Sequence, residues 1–124
     1  MKVLISFDID GCLENGDPPG PITLDMVRKA QAKGAIIGSC SDRAPSAQRT
    51  LWERAGIEYD FVTPKYGLPE IKERFPADKY IHTGDRNLGE QFAVQAGYDF
   101  YWEHEGAAEP WLQYLDDSVT IALA

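Results

Sequence analysis

The feature that most constrains this chain is a nearly continuous apolar segment, residues 3–7 (VLISF), that ends at two aspartates and a glycine. Such a run is typical of a short strand buried on both faces, as in the middle of a parallel sheet. Side chains two residues apart on extended backbone share a face, so Asp8 and Asp10 are expected to enter one pocket, where Gly11 allows a turn. Neighbouring carboxylates repel each other, and oxygen ligands alone favour Mg²⁺ as the neutralising cation. An ordinary Asp-Gly turn is the alternative explanation, but such a turn needs one acid rather than two.

The length of the chain, 124 residues, is that of one domain, so residues 1–124 are expected to form a single unit with one core. A hydrophobic content of 44% and three tryptophans are typical of a globular protein. No segment has the apolar length of a membrane span, and the first residues resemble a strand rather than a signal peptide. A soluble, cytoplasmic protein is therefore expected, with Cys12 and Cys40 reduced.

The charge of the chain is unevenly distributed. All 12 Lys and Arg residues lie in residues 1–86 together with 13 acids, whereas residues 87–124 contain seven acids and no base. A formal net charge of −8 argues against a broad surface for duplex nucleic acid. A local basic patch around Arg43, Arg49 and Arg54 leaves a polynucleotide end open as a substrate.

The rest of the chain alternates between strand and helix patterns. Further strands are predicted at residues 35–41, 59–62, 80–83 and 99–103, and helices at 24–33, 45–55, 68–75, between the fourth and fifth strands, and at 110–115. Residues 14–21 contain two glycines and three prolines and are expected to form a loop over the acidic pair. Val119–Ala124 either pairs as an edge strand or packs on the sheet. Strand-helix-strand units with short loops predict right-handed parallel crossovers and an α/β fold.

Polar residues that could take part in catalysis or ligand binding follow three of these strands. The second strand ends at Ser41-Asp42-Arg43, Lys65 follows the third, and the fourth ends at Gly84-Asp85. Ser39 and Lys72 are the alternatives to Ser41 and Lys65, but Ser39 lies deeper in its strand and Lys72 lies in mid-helix. A lone serine often caps a helix and a lone lysine is usually solvated, so the assignment depends on their order along the chain. Ligands bind beyond the carboxyl ends of parallel strands, where all these residues fall.

These motifs, in this order and at successive strand ends, resemble those of the haloacid dehalogenase (HAD) phosphohydrolase superfamily over residues 2–100. The resemblance implies a three-layer αβα Rossmann-like fold with a central parallel sheet of strand order 5-4-1-2-3. The intervals between motifs leave no room for a cap domain, so the chain resembles a capless member. Two positions depart from the family pattern: Cys12 replaces a usual threonine, and Gly89 replaces a second acid found in many members. Glu90 and Asn87 are the candidates to replace that acid.

The resemblance implies a Mg²⁺-dependent phosphatase that acts on a phosphorylated substrate. In this scheme Asp8 attacks phosphorus to form an aspartyl-phosphate, and Asp10 acts as general acid and then as general base. Ser41 and Lys65 would neutralise charge on the transferring group. The implied metal ligands are the Asp8 and Asp85 carboxylates and the backbone carbonyl of Asp10.

Two other functions are open at this stage. A receiver-type phospho-switch also carries acids, a hydroxyl and a lysine at strand ends, but its acidic pair and its phosphoacceptor lie on different strands, whereas Asp8 and Asp10 share one. The other function is a catalytically weak binding module on the same fold, which is favoured by the departure of Gly89 and Cys12 from the family pattern. His82, inside a strand, is expected to be a packed or surface residue rather than part of the site. The sequence identifies neither the substrate nor the oligomeric state, and a homo-oligomer is left open.

Overall fold

Five parallel strands form the centre of the structure, a computed structural model that describes residues 1–115. The strands are β1 (Val3–Phe7), β2 (Ile36–Ser41), β3 (Phe61–Pro64), β4 (Lys79–Gly84) and β5 (Asp99–Trp102). Their order across the sheet is β3-β2-β1-β4-β5, and every neighbouring pair is parallel. Read from the opposite edge, this is the expected order 5-4-1-2-3. The predicted α/β fold with β1 at the centre is therefore confirmed.

Helices follow the strands in the predicted alternation. They are α1 (Leu24–Ala32), α2 (Pro45–Ala55), α3 (Leu68–Arg74), α4 (Asn87–Gln95) and the short α5 (Glu103–Gly106), with 3-10 turns at Lys65–Gly67 and Pro110–Gln113. Thr23 caps α1 as expected, since its hydroxyl accepts a hydrogen bond from the Met26 amide at 3.2 Å. Gly56 ends α2 with a φ of 70°, in the left-handed conformation that glycine adopts most easily. Among residues 1–115, no helix is both long and apolar enough to cross a membrane.

The helices cover both faces of the sheet, which gives three layers. Odd-numbered side chains of β1 pack on one face with residues of α1 and α2; this core includes Val3, Ile5, Phe7, Val27, Ala30, Trp52 and Trp111. The opposite face packs against α3 and α4, and its core includes Leu4, Ile36, Cys40, Leu68, Ile71 and Ala93. All five residues of β1 are buried, which is the reason for its unbroken apolar pattern.

The structure corrects three details of the sequence interpretation. β3 begins at Phe61, later than the predicted strand at 59–62. The reason is that Asp60 binds the backbone of Ile37 twice: its amide donates to the Ile37 carbonyl, and its carboxylate accepts from the Ile37 amide. Regular pairing with β2 starts only after this residue. The predicted helix at 110–115 is a 3-10 turn, and α5 was not predicted. The two alternatives for Val119–Ala124 concern residues outside the described part of the chain.

A buried polar pair connects the neighbouring strands β1 and β4, where Ser6 and His82 are register partners. His82 of β4 is 1% exposed, and its Nδ1 lies 2.9 Å from the hydroxyl oxygen of Ser6 in β1. The ring of Phe100 packs beside the imidazole, with centroids 6.0 Å apart. Burial, assisted by the positive charge of Lys65, lowers the pKa of His82 to about 4. Of the two alternatives left open by the sequence, a packed or a surface residue, His82 is the packed one.

Replacing His82 with asparagine is expected to remove part of the sensitivity of the protein to acid. The native state keeps His82 neutral down to about pH 4, whereas the unfolded chain takes up its proton near pH 6.5. The unfolded state binds more protons between these values, so the contribution of His82 to stability is complete above pH 6.5. That contribution falls by roughly 3 kcal/mol as the pH approaches 4.

Urea unfolding of wild type and His82→Asn at pH 7, 5.5 and 4.5 measures this effect. Asparagine keeps an amide near the position of Nδ1 but does not titrate. The free energy of unfolding of wild type minus that of the variant should therefore decrease as the pH falls. Other titrating groups, including Asp8, are common to both proteins and cancel in the difference. A difference that does not change with pH would contradict the assignment.

Candidate active site

A small cavity of about 30 Å³ lies at the carboxyl ends of the central strands. It is lined by Asp8, Asp10, Ser41, Asp42 and Arg86, which follow or end β1, β2 and β4. This volume is enough for water, and movement of the exposed side chains that line it would make room for a larger ligand. A larger open hollow at the end of α2 is lined by Glu53 and residues 56–59, and it contains no predicted site residue.

Asp8 lies at the base of this cavity and is 5% exposed. Its amide donates to the carbonyl of Thr83 at 2.9 Å, which ties the end of β1 to β4. Its Oδ1 accepts from the Ile9 amide at 2.8 Å, and its Oδ2 lies 3.9 Å from Lys65 Nζ. Burial raises the pKa of Asp8 to about 6, although the Ile9 hydrogen bond and the Lys65 charge act in the opposite direction. Asp8 is thus an ionised but poorly solvated carboxylate at neutral pH.

Asp10 is held by a two-pronged ion pair with Arg43. The guanidinium Nε lies 3.2 Å and 3.0 Å from the two carboxylate oxygens, and Nη2 donates to Oδ1 at 2.8 Å. The Asp17 amide donates to the same Oδ1 at 2.8 Å. The hydrogen bonds from Arg43 hold the pKa of Asp10 below its usual value. Both oxygens of Asp10 therefore already accept hydrogen bonds, and the ion pair with Arg43 favours the ionised carboxylate.

Ser41 and Lys65 approach the cavity from β2 and from the turn after β3. Ser41 is 1% exposed; its hydroxyl oxygen accepts from the Arg43 amide at 3.1 Å, which leaves its proton for another acceptor. Lys65 is 6% exposed and faces Asp8. The tight turn that carries Lys65 depends on Gly67, where a Cβ would lie only 1.7 Å from the Thr63 hydroxyl oxygen.

The alternative residues named from the sequence lie elsewhere. Ser39 is fully buried below the cavity, where its hydroxyl donates to Gln48 at 2.6 Å and accepts from Trp52 Nε1 at 3.0 Å. Lys72 on α3 lies 3.4 Å from the carbonyl of Ala96 and 5.2 Å from the centre of the Tyr80 ring. Ser41 and Lys65 are therefore the better placed members of each pair.

Asp85 lies against the turn after β1 rather than in the lining of the cavity. A Cβ on Gly11, whose φ is 75°, would lie 2.0 Å from Asp85 Oδ2, so only glycine leaves room for this carboxylate. The other oxygen, Oδ1, is buried and has no hydrogen-bond partner among residues 1–115. The negative charge of Asp85 also contributes to the raised pKa of Asp8. A buried carboxylate oxygen without a partner is a chemically suitable ligand for a cation.

The expected Mg²⁺ ligands fit this arrangement in their chemistry. Within residues 1–115, no group of three or more His, Cys, Asp or Glu side chains is placed to hold a metal ion. The expected set needs only two carboxylates, from Asp8 and Asp85, because its third member is the backbone carbonyl of Asp10. All three are the hard oxygen donors that Mg²⁺ prefers.

Neither candidate for the missing second acid reaches this cavity. A side chain at Gly89 would meet His82 Nε2 at 3.8 Å. Glu90 lines a separate hollow on α4 with Gln91, Val94 and Gln95, and Asn87 is exposed. Cys12, at the usual threonine position, is buried, and its thiol donates to the carbonyl of Thr83 at 3.6 Å. Burial raises the pKa of this thiol, so it is a packed group rather than a nucleophile.

Sequence reasoning gave no role to two residues that line the cavity, Asp42 and Arg86. Asp42 Oδ2 lies 3.4 Å from Lys65 Nζ and 3.9 Å from Arg86 Nη1. Both residues sit directly beside a predicted motif residue, Ser41 or Asp85, and this adjacency was the available signal. Their interaction across the cavity could be found only in three dimensions.

Comparison with known proteins finds no family model that matches this sequence and no matching curated protein. The fold and the site therefore define the class at a coarser level. The chain is an α/β protein whose parallel sheet carries carboxylates, a buried lysine, a buried serine and two arginines at the carboxyl ends of its strands.

Proposed function

We propose that this protein is a Mg²⁺-dependent phosphatase of the capless HAD-like type that hydrolyses a phosphomonoester through an aspartyl-phosphate. The observation that carries the proposal is the placement of Asp8, Asp10 and Ser41 around one cavity, with Lys65 facing Asp8. The same cluster contains an acceptor for the phosphoryl group, a hydroxyl donor and a buried cation. The sheet order and the three layers are also those that the family resemblance implies.

Asp8 is the proposed nucleophile because it is the most buried carboxylate of the cavity. Poor solvation leaves its oxygens available to attack phosphorus, and the attack forms an aspartyl-phosphate as the leaving alcohol departs. Ser41 donates a hydrogen bond to the transferring group, and Lys65 offsets part of its negative charge. Mg²⁺, when bound by Asp8, Asp85 and the carbonyl of Asp10, supplies further neutralisation of that charge.

Asp10 is the proposed general acid and base. It would protonate the departing oxygen and later take a proton from the water that attacks the aspartyl-phosphate. In the present arrangement Arg43 covers both of its oxygens. Turnover therefore requires Arg43 to rotate away from Asp10, because their ion pair disfavours the protonated form that a general acid needs; the Arg43 side chain has the freedom to do so because it is 32% exposed.

The Asp10–Arg43 ion pair also favours one alternative, a binding module with little or no catalysis. If Arg43 never released Asp10, the site could hold an anion without hydrolysing its ester. A panel of phosphorylated metabolites, assayed for phosphate release with Mg²⁺ and with EDTA, separates the two functions. Mg²⁺-dependent turnover of at least one compound supports the phosphatase, whereas binding without turnover supports the module. A long-lived phosphorylated Asp8 would instead indicate a receiver-type switch.

A cytoplasmic location is also part of the proposal. Its support is the state of the two cysteines of the chain, Cys12 and Cys40, which are both free and buried. Free thiols are typical of proteins in reducing compartments.

Substitution of Asp10 and of Asp85 should separate the roles of these two acids. Asp85→Asn is expected to raise the Mg²⁺ concentration needed for half-maximal activity by roughly tenfold or more, because a carboxylate ligand loses its charge. Asp10→Asn should lower the maximal rate by about 10²-fold with little change in the Mg²⁺ requirement, because Asp10 offers the metal its carbonyl.

Titration of activity with Mg²⁺, together with calorimetric Mg²⁺ binding, measures both effects. Asp25→Asn, which removes an equal charge from a side chain that is 92% exposed on α1, is the matched control. Equal shifts in Mg²⁺ affinity for Asp10→Asn and Asp85→Asn would contradict the assigned ligands.

A further inference from the structure

The carboxylate of Asp42 lies between two cations at the mouth of the cavity. The same oxygen, Oδ2, is 3.4 Å from Lys65 Nζ and 3.9 Å from Arg86 Nη1. Asp42 also lines the cavity with Asp8 and Ser41, so these contacts are made where the proposed phosphoryl group would bind. A negative group of the protein thus already faces the cations that an anionic ligand needs.

The three charged groups differ in how freely they move. The Lys65 side chain is 6% exposed, whereas those of Asp42 and Arg86 are 65% and 67% exposed. Both ion pairs are longer than a strong charged hydrogen bond, and both share the exposed carboxylate of Asp42, where water weakens the interaction. Asp42 can therefore rotate into solvent at small cost while Lys65 stays in place.

Such a movement would enlarge the cavity. Its volume of about 30 Å³ holds water, and a tetrahedral oxyanion needs more room than this. Among the lining residues, Asp8 and Ser41 are fixed by burial, and Asp10 is held by Arg43. Rotation of Asp42 would open the cavity and free Lys65 and Arg86 to pair with the ligand in one step.

We propose that Asp42 is an internal competitor for the anionic group of the substrate. In the free protein it occupies Lys65 and Arg86, and it yields both cations when a phosphoryl group binds. Asp42 thereby lowers the affinity of the site for phosphate and sets the concentration at which substrate and product bind. The inference rests on the anion site of the proposed function and adds a residue that controls its affinity.

The test is a titration with inorganic phosphate in the presence of Mg²⁺, followed by two-dimensional ¹H–¹⁵N NMR. This measurement gives weak dissociation constants and shows in the same spectra that each variant is folded. Asp42→Asn should bind phosphate roughly three- to tenfold more tightly than wild type, because the ligand no longer displaces a charged partner. Asp25→Asn removes the same charge from a side chain that is 92% exposed and does not line the cavity, so it should change the affinity less than about 1.5-fold.

A double-mutant cycle with Arg86→Gln separates competition from simple repulsion. If Asp42 acts by occupying the two cations, the gain from Asp42→Asn should shrink when Arg86 is absent, because one contact has already been lost. Repulsion through space would give the same gain in both backgrounds. The inference is overturned by an undiminished gain in the Arg86→Gln background, by an equal gain in Asp25→Asn, by no gain in Asp42→Asn, or by no phosphate binding in any of the proteins.

The titration does not measure turnover, so the two proposals can fail separately. Tighter phosphate binding by Asp42→Asn without hydrolysis of any phosphomonoester would leave the internal competitor in place and remove the phosphatase. Hydrolysis by wild type with equal phosphate affinity in Asp42→Asn would keep the phosphatase and remove the competitor.

Discussion

Replacing Asp8 with asparagine should lower the rate of phosphomonoester hydrolysis by at least ~10²–10⁴-fold. Asparagine has nearly the same shape as aspartate but is too weak a nucleophile to form the acyl-phosphate. No other carboxylate around the cavity can take over the attack: Asp10 is covered by Arg43, and Asp42 is 65% exposed at the mouth. The loss should therefore appear in the maximal rate rather than in substrate affinity.

The Asp8→Asn variant should remain at least as stable as wild type in the absence of metal. Burial disfavours the charged form of Asp8, as its raised pKa indicates, and the neutral amide avoids that cost. The amide oxygen can still accept the hydrogen bond from the Ile9 backbone. Thermal unfolding in EDTA measures stability, and initial rates with saturating Mg²⁺ measure catalysis.

The combination of lost activity and retained stability is the distinguishing result. A variant that is merely misfolded would lose both. Near-normal rates in Asp8→Asn on the best substrate would show that Asp8 is not the nucleophile. Asp25→Asn, already used as a charge control, should match wild type in both measurements.

The fold could be predicted because its determinants are local in the sequence. Residues 3–7 have an unbroken apolar pattern because β1 is buried on both faces, and Thr23 and Gly56 mark helix ends through their own conformational preferences. The predicted start of β3 was wrong because the true start depends on the contact of Asp60 with Ile37, which lies on another strand. A single sequence carries no direct signal for such a contact.

The location of the candidate site could be predicted from the sequence, but the ion pairs within it could not. Parallel strands bring their carboxyl ends together, so the order of the motifs was enough to place Asp8 and Ser41 around one cavity. The pairing of Arg43 with Asp10 joins residues 33 positions apart and depends on the side-chain conformations of both. The same holds for Asp42, whose two cations come from the ends of different strands.

Replacing Lys65 with methionine is expected to impair both catalysis and folding. Methionine keeps most of the length of the side chain but removes the cation that faces Asp8 at 3.9 Å. The rate of hydrolysis should fall by about 10²-fold or more, as is usual when one stabilising charge near a reacting group is removed. The free energy of unfolding at pH 8 should fall by roughly 3 kcal/mol, because a buried carboxylate is left without its partner.

The double variant Asp8→Asn/Lys65→Met tests whether this loss of stability comes from the interaction of Lys65 with Asp8. Once Asp8 is neutral, the loss of Lys65 no longer leaves the Asp8 carboxylate as an unpaired buried charge, so the double variant should recover most of the stability that Lys65→Met loses. Urea unfolding of the four proteins at pH 8 in EDTA gives the interaction energy directly. Lys72→Met is the matched control, since Lys72 contacts the Ala96 carbonyl, does not line the cavity and should leave the rate unchanged when substituted. If the double variant were no more stable than Lys65→Met alone, Lys65 would stabilise the turn after β3 and not the charge of Asp8, and its proposed role beside the phosphoryl group would lose its electrostatic basis.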